Sequence, residues 1–512
     1  MTGSLHFVRP TRPTPISLHD LVAETGAAVA AGTGTPAITG LTLSSQRVVP
    51  GDLYVALPGA KVHGARFAAD AIASGAVAVL TDAEGAALLA DTVTVPVLVV
   101  PEPRRLLGRL AARVYDDPAT RLTLLAVTGT QGKTTTTRLL ESALAGAGVR
   151  SAAIGTVGTR IAGRDVRSEL TTPESPDLHG LFARMVEEDV EVCAMEVSSH
   201  ALVMGRVDGV VFDVAAFTNL GRDHLDFHAD MEDYFAAKAS LFTQQRARRG
   251  LAHLDDAYGR RLLEIATIPM RTFSVGDEGA DWVALDLDER PDGTTFTVRA
   301  PDGGSYPATT PLPGRFNVAN ALCAIALAGE AGLDARAIAS AMGAGPGVPG
   351  RLERIDAGQD FLAVVDYAHK PDAVAAAIGA LRPMTRGRVI VVIGAGGDRD
   401  RGKRPLMGEI AADLADVVIV TDDNPRSEDP AAIRAEVVAG AGQVRGDGRA
   451  QVREVGGRRA AIREAIGMAL AGDSVLVAGK GHETGQDIGG VVHPFDDRDE
   501  VRAALADRGS LR

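Results

Sequence analysis

The sequence predicts an α/β protein of three domains, and three observations carry that expectation. At 512 residues the chain is too long for one ordinary domain. Short runs rich in Val, Leu and Ile alternate with Ala-rich helical stretches, the pattern of mostly parallel sheets with helices on both faces. GAGPGVPGR, Gly343 to Arg351, is the strongest linker signal in the chain. The domains are therefore placed at 1–115, 116–345 and 346–512.

The small first domain opens after MTGSLHFVRPTRPTP, which lacks the apolar core of a signal peptide and is expected to be a loose leader. DLYVAL, VAVL and VPVLVV then read as short strands among helices, and Pro101 to Pro103 opens the exit. In the central domain LTLLAV, a helix from Lys133 to Ala145, EVCAMEV and VVFDVAAF continue the alternation. DWVALDLDERPDGTTFTVRA, near 281–300, is expected to break it as an antiparallel excursion turning at PDG. In the third domain FLAVVD, RVIVVIG, DVVIVTDD and DSVLVAG run into the polar loops YAHKPD, AGGDRDRGKR, NPRSEDP and KGHETG. In parallel sheets such loops gather along the carboxyl rim, where ligands bind.

A net charge of −13 argues against a general binder of nucleic acid or acidic membranes, so an anionic ligand must be met by local positive sites. Cys193 and Cys323 are the only cysteines, which excludes a disulfide framework and suits a reducing compartment. No run approaches the ~18 uninterrupted apolar residues of a membrane helix. A cytoplasmic protein without nucleic-acid or membrane partners follows; a monomer is the expected state, though nothing in the composition sets it. Only six of the 53 basic residues are lysine: Lys61, Lys133, Lys238, Lys370, Lys403 and Lys480. Where charge alone is needed Arg serves, so the lysines are enriched for work that needs a compact or titratable amine. Four of them sit in or beside glycine-rich loops.

AVTGTQGKTTTTRLL, Ala126 to Leu140, is a strand, a glycine loop and a helix start. Gly129, Thr130, Gln131, Gly132, Lys133, Thr134 and Thr135 form the setting a phosphate loop requires. Glycines allow close backbone approach, N–H groups point inward and the helix N-terminus adds positive charge. Lys133 would bridge terminal phosphates and the Thr134 hydroxyl would reach Mg²⁺. The usual spacing wants glycine at 127, where Val127 stands. MEVSSHAL places Glu196, and TNLGRDHLDFH places His224, at the ends of further strands. With Thr134 they would supply a hydroxyl, a carboxylate and an imidazole, the imidazole being the weak member for Mg²⁺. In YFAAKASLF, Lys238 shares a helix face with Tyr234, Leu241 and Phe242. It either snorkels outward or is desolvated, and a neutral amine can take up CO₂ as an anionic carbamate.

An ordered set of motifs over about residues 40–500 resembles the Mur ligases, ATP-dependent amino-acid ligases of peptidoglycan precursor synthesis. The set runs GTQGKTT (129–135), TTPES (171–175), MEVSSH (195–200), TNLGRDHLDFH, Lys238, GRFNVANA (314–321), VPGR (348–351), DYAHKPD (366–372), GGDRDRGKRP (396–405), DNPR (423–426) and GKGHE (479–483). The last three are similar to the member that adds the third residue of the peptide stem, in its meso-diaminopimelate version; lysine-adding relatives differ where Arg426 stands.

The resemblance implies a P-loop ATPase-like central domain, a Rossmann-like third domain, and an active site in the cleft between domains that closes by motion of the third onto the second. It implies that Lys133 and Thr134 meet the ATP phosphates and Mg²⁺, and that Glu196, His224 and a carbamylated Lys238 belong to the metal sites. Asn317 and Asn320 fall on the adenine side, and Arg351 and Asp366 near ribose and phosphates. Leu43, Ser45 and the turn Ala60, Lys61, Val62 match the pocket for the UDP end of UDP-N-acetylmuramoyl-L-Ala-D-Glu. Thr171, Thr172, Ser198 and Arg206 match contacts to its muramoyl dipeptide. Arg399, Asp423, Asn424, Pro425, Arg426, Gly479 and Glu483 match the diaminopimelate pocket. The sequence departs from the pattern at Ser44, where Asp is common, at Gln131 for Asn, at Met204 for a Gln and at Lys370 for Thr.

The residue types suit acyl-phosphate chemistry. Bringing a carboxylate to a γ-phosphate sets like charges together, so neutralisation and positioning dominate. Lys133 and Mg²⁺ would neutralise, and a guanidinium fork such as Arg426 is the natural reader of the far carboxylate of diaminopimelate. A non-catalytic phosphate-loop module leaves the polar rim loops of the third domain without a use. An oxidoreductase reading of Gly394 to Gly396 fails where Arg399 replaces the third glycine. A lysine-adding ligase is disfavoured by Arg426, and a folate polyglutamate ligase has no use for the block at 40–100.

Overall fold

The computed structural model describes residues 9–32, 34–89, 93–166, 170–290, 292–444 and 450–509. Residues 1–8 of the expected leader and Pro291 of the expected turn lie outside the described residues.

Three sheets organise the chain. The first has five strands in the order Ala28–Ala31, Val97–Val99, Ala78–Thr81, Asp52–Val55, Gly40–Thr42, parallel except at the Ala28 edge. The central sheet has eleven. Seven are parallel, in the order Ser151–Gly155, Val192–Glu196, Thr123–Thr128, Phe212–Phe217, Ala247–His253, Met270–Val275, Trp282–Arg290. An antiparallel pair extends each end: Gly158–Ile161 with Arg164–Val166, and Gly293–Arg299 with Ser305–Thr310. Trp282–Arg290 thus serves both arrangements, closing the parallel part and opening the antiparallel excursion.

The C-terminal sheet orders Glu353–Arg354, Leu362–Asp366, Ser474–Ala478, Val389–Ile393, Val417–Val420 and Gln451–Glu454, and is parallel beyond its first strand. Gln451–Glu454 and the hairpin Gly485–Ile488/Val491–Pro494 carry no apolar sequence signal, because their residues are polar or exposed.

The alternation of the strands shows why both faces are covered. Leu125 and Val127 face one core with Leu140, Leu144, Val318, Leu322 and Ile325. Leu124 and Ala126 face another with Phe182, Met195, Phe217, Phe235 and Phe242. Val391 and Ile393 likewise oppose Ile390 and Val392 across the C-terminal sheet. Burying each large apolar side chain in these layers stabilises the fold by about 1.5–3 kcal/mol. The helix Arg315–Glu330 is buried on nearly all sides, as its run of Ala, Leu and Ile demands. With the apolar faces consumed by packing, polar side chains collect at the strand ends.

The first sheet's layer docks on the central one through an Arg47–Asp177 fork at 2.7 and 2.9 Å. The helix Pro103–Val114 approaches so closely that a Cβ on Gly108 would lie 2.0 Å from the Asp208 carbonyl oxygen. Cys193 and Cys323 are both free and buried. No helix among the described residues is long and apolar enough to cross a membrane.

Candidate active site

The loop after Thr123–Thr128 leads into the helix Lys133–Gly146 through two glycines with positive φ, +150° at Gly129 and +85° at Gly132. Neither position has room for a side chain. A Cβ would sit 2.0 Å from Thr218 Oγ1 at Gly129 and 2.3 Å from Asn320 Oδ1 at Gly132. Val127, where a phosphate loop usually has glycine, is a fully buried core residue, so the strand simply runs two residues further before turning. Lys133 Nζ donates to the carbonyls of Gly129 at 2.7 Å and Thr130 at 3.1 Å. Burial pushes its pKa down to about 8, against the opposing charge of Glu196.

Lys238 lies beneath the same loop. It is buried, does not snorkel, and donates to the Gly129 carbonyl at 2.9 Å while its ammonium sits 4.6 Å from the Tyr234 ring. Burial, and then the charges of Lys133 and Lys370, hold its pKa well below the ordinary lysine value.

Two cavities adjoin the loop. The first, of about 320 Å³, is lined by residues 130–135, Thr156, Thr171, Glu196, Ser198, His224, Asn317, Asn320, Arg351 and Asp366 among others. Glu196, at the end of its strand, accepts from the Thr156 amide at 2.8 Å and hydroxyl at 3.1 Å, and Thr156 in turn pairs with Thr171. His224 has φ +54° and its Nε2 lies 3.1 Å from Asp223 Oδ2. Burial lowers its pKa to about 4 despite Asp223, so the ring is neutral near pH 7. Thr134 Oγ1 accepts from Arg351 at 3.2 Å, and the Arg351 guanidinium stacks 4.5 Å above Tyr367. Asp366 accepts the amides of Leu352 and Ala368; burial raises its pKa while Arg351 opposes. Asn317 and Asn320 bond to each other at 3.2 Å on the helix facing the loop.

The second cavity, of about 830 Å³, opens from the other side of a shared wall made of Gln131, Asp223, His224, Tyr367, His369 and Lys370. Arg399, Asp423, Asn424, Arg426, Gly479 and Glu483 line it. Lys480, fully buried behind, donates to Asn424 Oδ1 and Glu483 Oε2, both at 3.0 Å, and Asn424 donates to Glu483 at 2.9 Å. Arg426 has φ +52° and is clipped by the hairpin: its amide donates to the Asp487 carbonyl, its carbonyl accepts from Gly489, and its guanidinium bonds the Gly397 carbonyl. Pro425 forces glycine at 397, where a Cβ would lie 1.9 Å from the Pro425 oxygen. A buried Arg458–Asp497 fork at 2.7 Å also holds the Ala478 carbonyl, at the end of Ser474–Ala478, and the Asp422 carbonyl, two residues beyond Val417–Val420, next to Gly479 and Asp423.

Not every sequence-derived residue joins these cavities. Thr172 and Arg206 lie just behind the first: Thr172 links the Glu196 carbonyl to the Ser198 amide, and Arg206 pairs with Glu174 at 2.8 Å and reaches the Met204 sulfur at 3.5 Å. Leu43, Ser45 and the exposed turn Ala60, Lys61, Val62 belong to the first sheet's layer and line neither cavity. Asp223, His200, His369 and Lys403 line the second cavity or both cavities and carry no individual role from the sequence, although each falls within a motif: TNLGRDHLDFH, MEVSSH, DYAHKPD and GGDRDRGKRP. Among the described residues no three His, Cys, Asp or Glu side chains gather into a metal cluster.

Three family models match the chain in order: "Mur ligase family, catalytic domain" over residues 37–115, "Mur ligase middle domain" over 127–328 and "Mur ligase, glutamate ligase domain" over 350–481. A relative from Streptomyces avermitilis is 53% identical over 97% of this chain and 98% of its own length, and one from Streptomyces coelicolor is 52% identical over 97% and 98%. Both are named UDP-N-acetylmuramoyl-L-alanyl-D-glutamate–2,6-diaminopimelate ligase. A solved structure with that same name superposes with a TM-score of 0.68 at 33% identity, covering 97% of this chain and 100% of the other.

Proposed function

The chain belongs to the Mur ligase family, and from that premise we propose that it joins meso-diaminopimelate to the D-Glu carboxylate of UDP-N-acetylmuramoyl-L-Ala-D-Glu. ATP would activate the carboxylate as an acyl phosphate, within peptidoglycan precursor synthesis in the cytoplasm. The observation that supports the reading is the shared lining: the cavity at the glycine loop and the cavity at Arg426 have residues 223, 224, 369 and 370 in common. The relatives' names support the choice of amino acid. The division at 1–115, 116–345 and 346–512 is proposed as the working units for nucleotide-sugar, ATP and amino acid, in a monomer without nucleic-acid or membrane partners.

In this reading the residues 129–135 cradle the ATP phosphates chiefly through the amides of the helix start, since those of Thr130 and Gln131 donate to Asn219, and Lys133 exchanges its two carbonyl partners for phosphate oxygens. Asn317 and Asn320 face the adenine side, and Arg351 the phosphates. Thr134 and Glu196 supply oxygens suited to Mg²⁺, with neutral His224 beside them. So few protein donors fit an ion that keeps waters and phosphates as its other ligands. Bound Mg²⁺ supplies charge neutralisation at the phosphates. A carbamate on Lys238 would need a neutral amine, which its burial supports. Thr171, Thr172, Ser198 and Arg206 would orient the dipeptide, and Leu43, Ser45 and the 60–62 turn the UDP end.

On the other side Arg426 would fork the far carboxylate of diaminopimelate, while Asp423 and Glu483 take the ammonium beside it and Arg399 closes the pocket. The reacting amine then approaches through the shared wall. The test is phosphate release with ATP, Mg²⁺ and UDP-N-acetylmuramoyl-L-Ala-D-Glu, comparing meso-diaminopimelate with L-lysine. Release dependent on diaminopimelate supports the reading. Release with lysine would replace the amino acid, and none with either would leave a nucleotide-binding module.

A further inference from the structure

The shared lining contains a polar chain, Lys370–Asp223–His224, of which the roles above use only His224. Asp223 Oδ2 receives Lys370 Nζ from the C-terminal domain, and the same oxygen lies 3.1 Å from His224 Nε2. One carboxylate oxygen therefore stands between a cation of one domain and an imidazole of the other. Both members of the ion pair are mostly covered, Asp223 17% and Lys370 16% exposed, so solvent screens the pair less than it would at an open surface.

Lys370 is itself fixed by its domain. It is the residue before the helix Pro371–Leu381, and Lys403 Nζ holds the preceding carbonyl, that of His369, at 3.0 Å. His224 is fixed from its own side by a left-handed backbone and by ring contacts with His200 at 4.8 Å and Tyr234 at 6.0 Å. Asp223 is the joint between them. Two further polar contacts across the seam among the described residues, Arg351 to Thr134 and His482 to the Thr156 backbone, lie on the first cavity's side and do not involve Asp223 or Lys370.

We propose that Lys370 is a positioning residue: through Asp223 it fixes the orientation of His224 in the phosphate cavity only when the C-terminal domain is docked. The phosphate side is thereby completed when the domain carrying the amino-acid pocket is in place. This rests on the ligase reading of the two cavities. Without the ammonium, Asp223 loses the partner that holds its oxygen at the seam, and the imidazole follows the carboxylate.

The test is a double-mutant cycle of Lys370→Met, Asp223→Asn and the double variant, with Lys370→Arg as the conservative change. Each single variant is expected to lower kcat for phosphate release about 10- to 100-fold, the scale of a small misplacement, with KM for the UDP-dipeptide unchanged. The double variant should be no slower than the slower single one, because both break the same joint. Lys370→Arg should restore most of the rate. Losses that multiply, an unaffected Lys370→Met, or an arginine as poor as methionine would each overturn the proposal. The same cycle read as thermal midpoints needs no turnover. Non-additive midpoint shifts support the coupling and additive shifts remove it, even if phosphate release by the unaltered protein fails and the ligase reading falls with it.

Discussion

The two cavities are built by opposite means. The first cavity, the proposed phosphate side, is organised by a tight loop, a helix start, and two lysines whose amines converge on the Gly129 carbonyl. The second cavity, the proposed amino-acid side, is built of side chains: Asn424, Glu483 and Arg426, each held by a second residue that does not line it. Backbone N–H groups and lysines recognise charge and tolerate any polyphosphate of the right length. A pocket of braced carboxylates and a clipped guanidinium recognises one arrangement of charges. The first kind of site depends on its glycines and its cation, whereas the second fails whenever its bracing fails.

The sharpest way to break the contrast is to remove the cation. Lys133→Ala is expected to cut phosphate release by about 10³-fold or more, since neutralisation at the phosphates is the main catalytic contribution. Steady-state rates at matched thermal stability check it. The bracing of the second cavity is tested by Asp497→Ala, which strands the fully buried Arg458 and should destabilise the C-terminal domain by about 3–5 kcal/mol. Urea unfolding reads that loss.

Arg426→Ala should raise KM for diaminopimelate about 100-fold with KM for ATP unchanged, because a buried polar contact is removed from one ligand only. If both KM values rose together, the two cavities would not be separable in the way described.

The smallest effect concerns protons. Lys133 is lowered to about 8 by burial, and bound phosphates favour its ammonium. ATP binding should therefore take up a proton above about pH 8 and weaken as the pH rises, while below about pH 7 this lysine contributes no uptake. Calorimetry in two buffers of different ionisation enthalpy measures it. In the protein alone the sign is reversed. The buried ammonium destabilises the fold below pH 8, and that cost is relieved as pH rises from about 8 toward the unfolded lysine value.

The contrast also explains what could be read from the sequence. The phosphate loop is contiguous, so GTQGKTT shows its strand, glycines and lysine within a few residues, and the apolar runs that became parallel strands were visible by length and composition. The extra strand Gln451–Glu454 and the hairpin at 485–494 were not, because polar edge segments carry no periodic apolar signal. The Asp223–Lys370 contact joins positions 147 residues apart in two domains, and each residue alone looks like ordinary loop polarity. Lys238 was ambiguous for a different reason. An amine in an apolar helical stripe turns outward or inward according to whether an acceptor waits there, and the Gly129 carbonyl is supplied by a loop 109 residues earlier.

Asp223, His224, His369 and Lys370 belong to the lining of both cavities. Two reagents bound on either side need no tunnel, carrier or swinging arm to meet. A short-lived activated carbonyl made on one side would find its partner at the spot where it formed. The common lining makes handover a matter of adjacency.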